Sequence, residues 1–362
     1  MLASRLRQSL RGVRRMSSAR TLPTIDLSDQ ASAAAALDAA FSTYGCCYIT
    51  GCNRSMRQEY SCTLFAGHGI NLEKEANVMQ AAHEVFRMPA AAKKACERPN
   101  TGNGFIRGFI GLGGESGSEL IEVKEAFSYG YEWPSSSPPT NPLQGPNVWP
   151  SSAAFPTNHK KALQSYFTDL SNVSKQLTTN MSLALGQPAT YFGDYSQAGD
   201  TISIMRAFHY FPYDKLRRNA SDTNYVGSSP HTDWGFLTLI LQDPTGGLQF
   251  YHEGDWIDVP YVPGTLVVNG GDYLSLLTKG RWVSPVHRVV NHHTDKERYS
   301  MVYFYYPDYD AKIPEPETDT VAARQAGIAS KLNTLVDGSL DLSSVSFGDY
   351  IASKWANVQR SS

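Results

Sequence analysis

The chain has 362 residues, 41% hydrophobic and 18% charged, a globular composition long enough for one large or two small domains. No apolar run approaches the ~20 residues that a spanning helix needs, so a helical membrane protein is not expected. Lys and Arg number 32 against 34 Asp and Glu, a net charge of −2, which argues against a nucleic-acid binder that works by bulk positive charge.

In chain order, the first segment is a basic leader. Arg5, Arg7, Arg11, Arg14, Arg15 and Arg20 all precede the first acidic residue, Asp26, and Leu2, Leu6, Leu10 and Val13 share one side of a helical wheel. An amphipathic, arginine-rich, acid-free start has the composition of a mitochondrial transit peptide. The alternative is a basic tail or an extension ahead of Met16, in a cytoplasmic protein. Residues 1–20 are therefore set apart from the fold.

Residues 22–27 read as a short strand. Ser28 can cap a helix through Tyr44, with Leu37, Phe41 and Tyr44 on one face. A strand over 47–50 follows. Asn71 caps a second helix that runs to Met88 and stops at Pro89. Six prolines in 134–150 mark an irregular loop. A third helix begins near Pro156, buries Leu163, Phe167, Leu170, Val173, Leu177 and Met181, and ends at Gly186. Beyond residue 200, short β-branched and aromatic runs recur at 202–210, 236–241, 248–251, 265–269, 286–291 and 299–306, broken by Gly, Pro and Asp. That pattern predicts a sandwich or jelly roll. A last helix is expected over 318–336. The organisation expected is the leader 1–20, a helical and strand region 21–150, a long helix and β-rich core 151–315, and a C-terminal helical region 316–362. All five cysteines lie in the first hundred residues, an odd number with no secretory segment before them, so buried free thiols are expected.

The chemistry concentrates in the second half. His231-Thr232-Asp233 is expected to open the 236–241 strand, where residues i and i+2 share a face. His287 begins another strand. Two histidines and a carboxylate form a facial triad that leaves open positions, a donor set suited to Fe(II) and oxygen chemistry, with zinc hydrolysis as the rival use. Arg298 and Ser300 share a strand face eleven residues beyond His287. A guanidinium grips a carboxylate through two parallel hydrogen bonds and a hydroxyl adds a third, so the pair reads as a clamp for a 2-oxo acid. Phe127, Phe250 and Phe304 are candidate pocket walls. His68, His83, His159, His252, His292 and His293 are taken as ordinary surface or core histidines.

These motifs closely resemble the 2-oxoglutarate and Fe(II)-dependent dioxygenases of the isopenicillin N synthase-like family. The resemblance spans most of 22–310. Its motifs include Leu22-Pro23-Thr24-Ile25-Asp26-Leu27, Gly67-His68-Gly69-Ile70, Val123-Lys124-Glu125-Ala126-Phe127 and Arg206-Ala207-Phe208-His209-Tyr210. Further on come the segment 231–241, Gly246-Gly247-Leu248-Gln249, Pro263-Gly264-Thr265, Val268-Asn269-Gly270-Gly271-Asp272, His287-Arg288-Val289-Val290 and Arg298-Tyr299-Ser300. The resemblance implies an α+β fold with a double-stranded β-helix (jelly-roll) core and flanking helices, mainly N-terminal. It implies Fe(II) on His231, Asp233 and His287, the distal carboxylate of 2-oxoglutarate on Arg298 and Ser300 with Tyr210 also cofactor-binding, and O2 as second cosubstrate, with ascorbate as a possible supporting reductant. The expected reaction is hydroxylation or desaturation of a small organic molecule with release of succinate and CO2. The expected partner is that small molecule alone, with neither nucleic acid nor membrane, and the expected state is a monomer. Two features depart from the family. His209-Tyr210-Phe211-Pro212 stands where plant members often carry Asn-Tyr-Tyr-Pro, which puts Phe211 where a tyrosine assists 2-oxoglutarate. Residues 52–66 read as an insertion of 15 residues. An Fe(II) oxidase that uses no 2-oxoglutarate, and a jelly-roll binding protein without turnover, remain the alternatives.

Overall fold

The structure is a computed structural model that describes residues 21–50, 68–97, 105–114, 120–212, 225–291, 295–312 and 345–359. The leader, the 52–66 segment, Gly67, His292, His293 and the helix expected over 318–336 lie outside the described residues.

The N-terminal third alternates strand and helix: β1 (Thr24–Asp26), α1 (Gln30–Thr43), β2 (Cys46–Thr50), α2 (Leu72–Arg87) and α3 (Ala90–Ala95). Asn71 caps α2, its side-chain oxygen accepting from the Lys74 N–H at 2.8 Å. Pro89 ends that helix as expected, but the chain bends there and resumes as α3, because a proline fits the start of a helix as well as it breaks one. β3 (Gly108–Ile110), β4 (Ile121–Glu122) and β5 (Lys124–Gly130) precede the irregular proline-rich stretch. α4 (Thr157–Ala184) then runs 28 residues, buries the expected stripe, and gives way at Gly186, whose φ of +69° suits a residue without Cβ. Leu170 in that stripe is wholly buried, so Leu170→Ala is expected to cost about 2–5 kcal/mol.

The β-rich half contains β6 (Ile204–Tyr210), β7 (Tyr225–Val226), β8 (Ser228–His231), β9 (Leu237–Gln242), β10 (Leu248–His252), β11 (Asp255–Asp258) and β12 (Leu266–Gly270). A short helix, α5 (Asp272–Leu277), then β13 (His287–Val289), β14 (Arg298–Tyr305) and α6 (Phe347–Gln359) complete the described elements. An eight-stranded sheet runs β1-β2-β12-β9-β14-β6-β5-β3 and faces a four-stranded sheet, β11-β10-β13-β8; β4 pairs with β7. Strands from both halves of the chain thus hydrogen-bond in one sheet.

The large sheet is buried on both sides, which is why its central strands read as nearly unbroken apolar runs. Along β14, Tyr299, Met301, Tyr303 and Tyr305 pack into the large core. There Phe167 of α4 meets Tyr303 edge-on at 5.2 Å. The alternate residues Arg298, Ser300, Val302 and Phe304 turn inward between the sheets. Cys46, Cys47 and Cys96 are buried free thiols, as expected.

Candidate active site

His231 closes β8, and His287 opens β13; the two are register partners in the small sheet, with rings 4.2 Å apart. Asp233 comes from the turn that carries the chain into β9 of the large sheet. The expected continuous strand through 231–241 is therefore not formed. His231 ends one strand, residues 232–236 turn, and the convergence of His231 with Asp233 comes from that turn. The turn is fixed by α5, where the Asp272 N–H donates to the Asp233 carbonyl at 2.8 Å. Glycine is needed at 271 because a Cβ there would strike the Gly235 carbonyl.

The donor atoms of His231, Asp233 and His287 all lie within 4.8 Å of one another, the one such group among the described residues. Asp233 Oδ1 is 3.9 Å from His231 Nε2 and 3.7 Å from His287 Nε2. His231 Nδ1 faces the Ser229 carbonyl at 2.7 Å and His287 Nδ1 the Pro285 carbonyl at 3.2 Å. A carbonyl only accepts, so Nδ1–H donates in both rings and each Nε2 presents a lone pair to the centre. Asn269 on β12 donates to the other carboxylate oxygen, Oδ2, at 2.8 Å.

The electrostatics match a metal-ligand state. Burial opposes the Asp233 charge, but His287, His231 and hydrogen bonds from Asn269 and Thr238 outweigh it and hold its pKa below the usual range. His231 presents its exposed edge to the cavity. Desolvation, then the His287 ring, lower its pKa to about 4. At neutral pH the set is a neutral imidazole beside an ionised carboxylate, which fits a divalent cation.

Arg298 and Ser300 line the same cavity and are each 1% exposed. The guanidinium donates from Nε to the Gly246 carbonyl at 2.7 Å, from Nη1 to Ser300 Oγ at 3.3 Å and from Nη2 to Gln242 Oε1 at 3.2 Å. Three of its five N–H groups are engaged, leaving two for a ligand. The Tyr210 ring lies 4.7 Å from its Cζ.

The alternation of β6 decides the tyrosine question. Tyr210 faces the cavity, whereas Phe211 packs on the His209 ring at 4.4 Å, so the hydroxyl-bearing residue is the inward one. Of the expected pocket walls, Phe304 lines the cavity. Phe127 does not: it lies in the helix-side core, 5.7 Å from Trp149. Phe250 packs between the sheets, 5.2 Å from His287, and likewise falls outside the lining.

Sequence reading missed Gln242 and Asn269 as supporting residues, and Arg206 and Trp355 as cavity residues. It also passed over His209, on β6 opposite Tyr299 of the clamp strand, 2.8 Å from Glu125 and stacked on the Tyr299 ring. The inward alternation of β6 and β9 could have revealed Arg206 and Gln242. No local signal marks Trp355. The cavity opens to solvent and runs between the two sheets, joining the triad to the Arg298 clamp. Among the described residues no helix is long and apolar enough to cross a membrane.

Comparison with known proteins agrees with this geometry. The profile of the 2OG-Fe(II) oxygenase superfamily matches residues 201–307, and that of the non-haem dioxygenase in morphine synthesis N-terminal region matches 22–152. The chain is 31% identical over 260 residues to the 2-oxoglutarate-dependent dioxygenase caaD of Aspergillus niger, covering 70% of this chain and 76% of that protein. It is 29% identical over 311 residues to the clavatol oxidase claD of Penicillium crustosum, covering 81% and 87%. Among solved structures, a full-length Neurospora crassa protein in complex with alpha-KG and thymine superposes with a TM-score of 0.71 at 22% identity, over 94% of this chain and 98% of that one, a likeness of fold.

Proposed function

The chain belongs to the 2OG-Fe(II) oxygenase superfamily and is a 2-oxoglutarate-dependent dioxygenase, and from that premise we propose how its residues divide the work. His231, Asp233 and His287 hold Fe(II) through two Nε2 atoms and Oδ1. Arg298 and Ser300 take the distal carboxylate of 2-oxoglutarate, with Tyr210 closing the space over the guanidinium. The observation that supports this division is the presence, in one cavity, of three converging donor atoms and a buried guanidinium with two N–H groups to spare.

Fe(II), when bound with 2-oxoglutarate and O2, supplies the oxidation: 2-oxoglutarate loses CO2 and keeps one oxygen atom as succinate, and the other is available to hydroxylate the substrate. The protein's part is orientation and exclusion of water. Arg298 is fixed on three sides and sets the depth of the cosubstrate. Asn269 fixes the carboxylate rotamer. The aromatic walls keep the reacting carbon of a small organic substrate dry, for hydroxylation or desaturation. The test is a metabolite screen with iron, ascorbate and 2-oxoglutarate, scored by succinate. Substrate-dependent succinate formation is the expected result, and substrate oxidation without succinate would replace this reading with a cosubstrate-free oxidase.

We also propose mitochondrial import, on the composition of residues 1–20. A reporter fused to residues 1–30 is expected to enter mitochondria, and a diffuse cytosolic signal would contradict it.

A further inference from the structure

α6 brings a buried cation to the support of the metal-binding turn. This helix lies outside both segments matched by the family profiles. Phe347, Tyr350, Ile351 and Lys354 recur along it at helical spacing, and all four are buried. Phe347 meets Tyr273 of α5 at 5.2 Å, with ring planes 75° apart. Next to Lys354, Trp355 lines the cavity and meets the Trp234 ring edge-on at 5.1 Å. α6 is thus packed both on α5 and on the residue that follows Asp233.

Lys354 is the odd member of that face. It is 1% exposed, and its Nζ has no hydrogen-bond partner. The ammonium lies over two rings, 5.2 Å from the centre of Tyr350 and 5.9 Å from that of Trp234. Burying such a group is costly, and an apolar side chain of similar length would fill the stripe without that cost. Packing alone therefore does not account for a lysine here. Burial lowers its pKa to about 8, and the Asp272 carboxylate opposes that fall, so the side chain is mainly cationic at neutral pH.

Asp272 joins the pieces of chain that make the metal site. Its N–H donates to the Asp233 carbonyl at 2.8 Å. Its Oδ2 accepts from Thr232 Oγ1, between His231 and Asp233, at 3.2 Å. Its Oδ1 accepts at 2.7 Å from Ser284 Oγ, just ahead of His287 in the chain. A carboxylate accepts at both oxygens when ionised, the state that a facing cation favours. We propose that Lys354 is a positioning residue: from α6 it holds the Asp272 carboxylate, which through Thr232 and Ser284 sets His231, Asp233 and His287 for the metal. This rests on the assignment of iron to those three residues, and it adds that α6 completes their support.

The experiment titrates the full chain with Mn(II), followed by electron paramagnetic resonance, and then titrates the Mn(II)-saturated protein with 2-oxoglutarate by calorimetry. Lys354→Met removes the charge and keeps the length. By Coulomb's law alone, taking away a cation near a metal site should tighten metal binding. A positioning role demands the opposite sign. The Mn(II) Kd of Lys354→Met is expected to rise about threefold to tenfold. The 2-oxoglutarate Kd should move less than about twofold, because Arg298 is held by Gly246, Ser300 and Gln242 instead. Lys354→Arg keeps the charge and should stay within about twofold of wild type for Mn(II). Asp272→Asn should weaken Mn(II) by itself, and adding Lys354→Met to it should bring no further loss, since both act through one carboxylate. Unchanged or tighter Mn(II) binding in Lys354→Met, equal losses for Mn(II) and 2-oxoglutarate, or additive losses in the double variant would overturn the proposal. If Lys354→Met does not fold, Lys354→Gln takes its place under the same criteria. The wild-type titration separates the two levels: a chain that takes up no Mn(II) removes the iron assignment, whereas normal wild-type uptake matched by Lys354→Met removes only the role of Lys354.

Discussion

Asn269 donates to Oδ2 of Asp233 at 2.8 Å, and that bond decides which carboxylate oxygen faces the two histidines. Oδ1 is left 3.9 Å and 3.7 Å from their Nε2 atoms. Asn269 is wholly buried on β12, so the orientation is set by the large sheet. Asn269→Leu keeps the volume and loses the donor. Its Fe(II) dissociation constant is expected to rise about 10–100-fold with the fold intact. Metal titration followed beside circular dichroism checks this, and an unchanged constant would make Asn269 a bystander.

Replacing His231, Asp233 or His287 with alanine should abolish iron-dependent turnover, because each supplies one of the three donors that converge among the described residues. Asp233→Glu should fail as well, since an extra methylene carries the carboxylate away from its position. Succinate formation at saturating iron is the measurement, and near wild-type turnover in any one variant would break the assignment.

The clamp variants should separate by chemistry. Arg298→Ala removes a buried, charge-assisted contact worth about 2–5 kcal/mol, so the apparent KM for 2-oxoglutarate should rise roughly 30-fold or more. Arg298→Lys should fall between it and wild type, as the charge stays and the planar fork goes. Ser300→Ala and Gln242→Leu each remove one partner of the guanidinium and should raise KM about fivefold, at about 1 kcal/mol. Titrating 2-oxoglutarate at saturating iron reads all four, and a flat response in Arg298→Ala would favour an oxidase without this cosubstrate.

Glu75 on α2 is 4% exposed, and burial, against one backbone hydrogen bond from Gly264, raises its pKa from 4.5 to about 7. The folded state therefore holds the proton more tightly than the unfolded chain. That contribution to stability is complete below about pH 4.5 and is lost as pH rises through about 7. The shift corresponds to about 3 kcal/mol at most. Glu75→Gln should leave the melting temperature near that of wild type at pH 4.5 and raise it by a few degrees at pH 8. Parallel thermal melts at the two pH values test this, and equal pH slopes in the two proteins would refute it.

What was legible in the sequence was what repeats locally or is fixed by chemistry. The stripe of α4 recurs at helical spacing and is bounded by Pro156 and Gly186, so its packing could be read from the chain alone. β5 could not: Lys124 and Glu125 interrupt its apolar pattern; Lys124 pairs with Glu122 two residues earlier, whereas the partners of Glu125, His209 and Lys93, come from elsewhere in the chain. α6 lies within the C-terminal helical region expected over 316–362, but its bounds were not legible, since Lys354 sits buried within its apolar stripe. In the site, residue types and spacing marked the triad and the clamp. The turn at 232–236 was misread as strand because the exchange of pairing partners between β8 and β9 is a tertiary event with no local period. Asn269 and Gln242 were invisible as supports because their role depends on neighbouring strands.

The position of that exchange gives the metal a mechanical role. His231 and His287 stand on the four-stranded sheet, while the Asp233 carboxylate is held by Asn269 of the eight-stranded one. An ion bound by all three is a rivet through the sandwich, cross-linking layers that otherwise meet through the side chains between them. Occupancy then resists shear between the layers. At a free metal concentration a hundred times the dissociation constant it adds about 2.7 kcal/mol to global stability. Chelation should accordingly loosen amide protection first in β8 and β13, the strands whose only tie to the rivet is an imidazole.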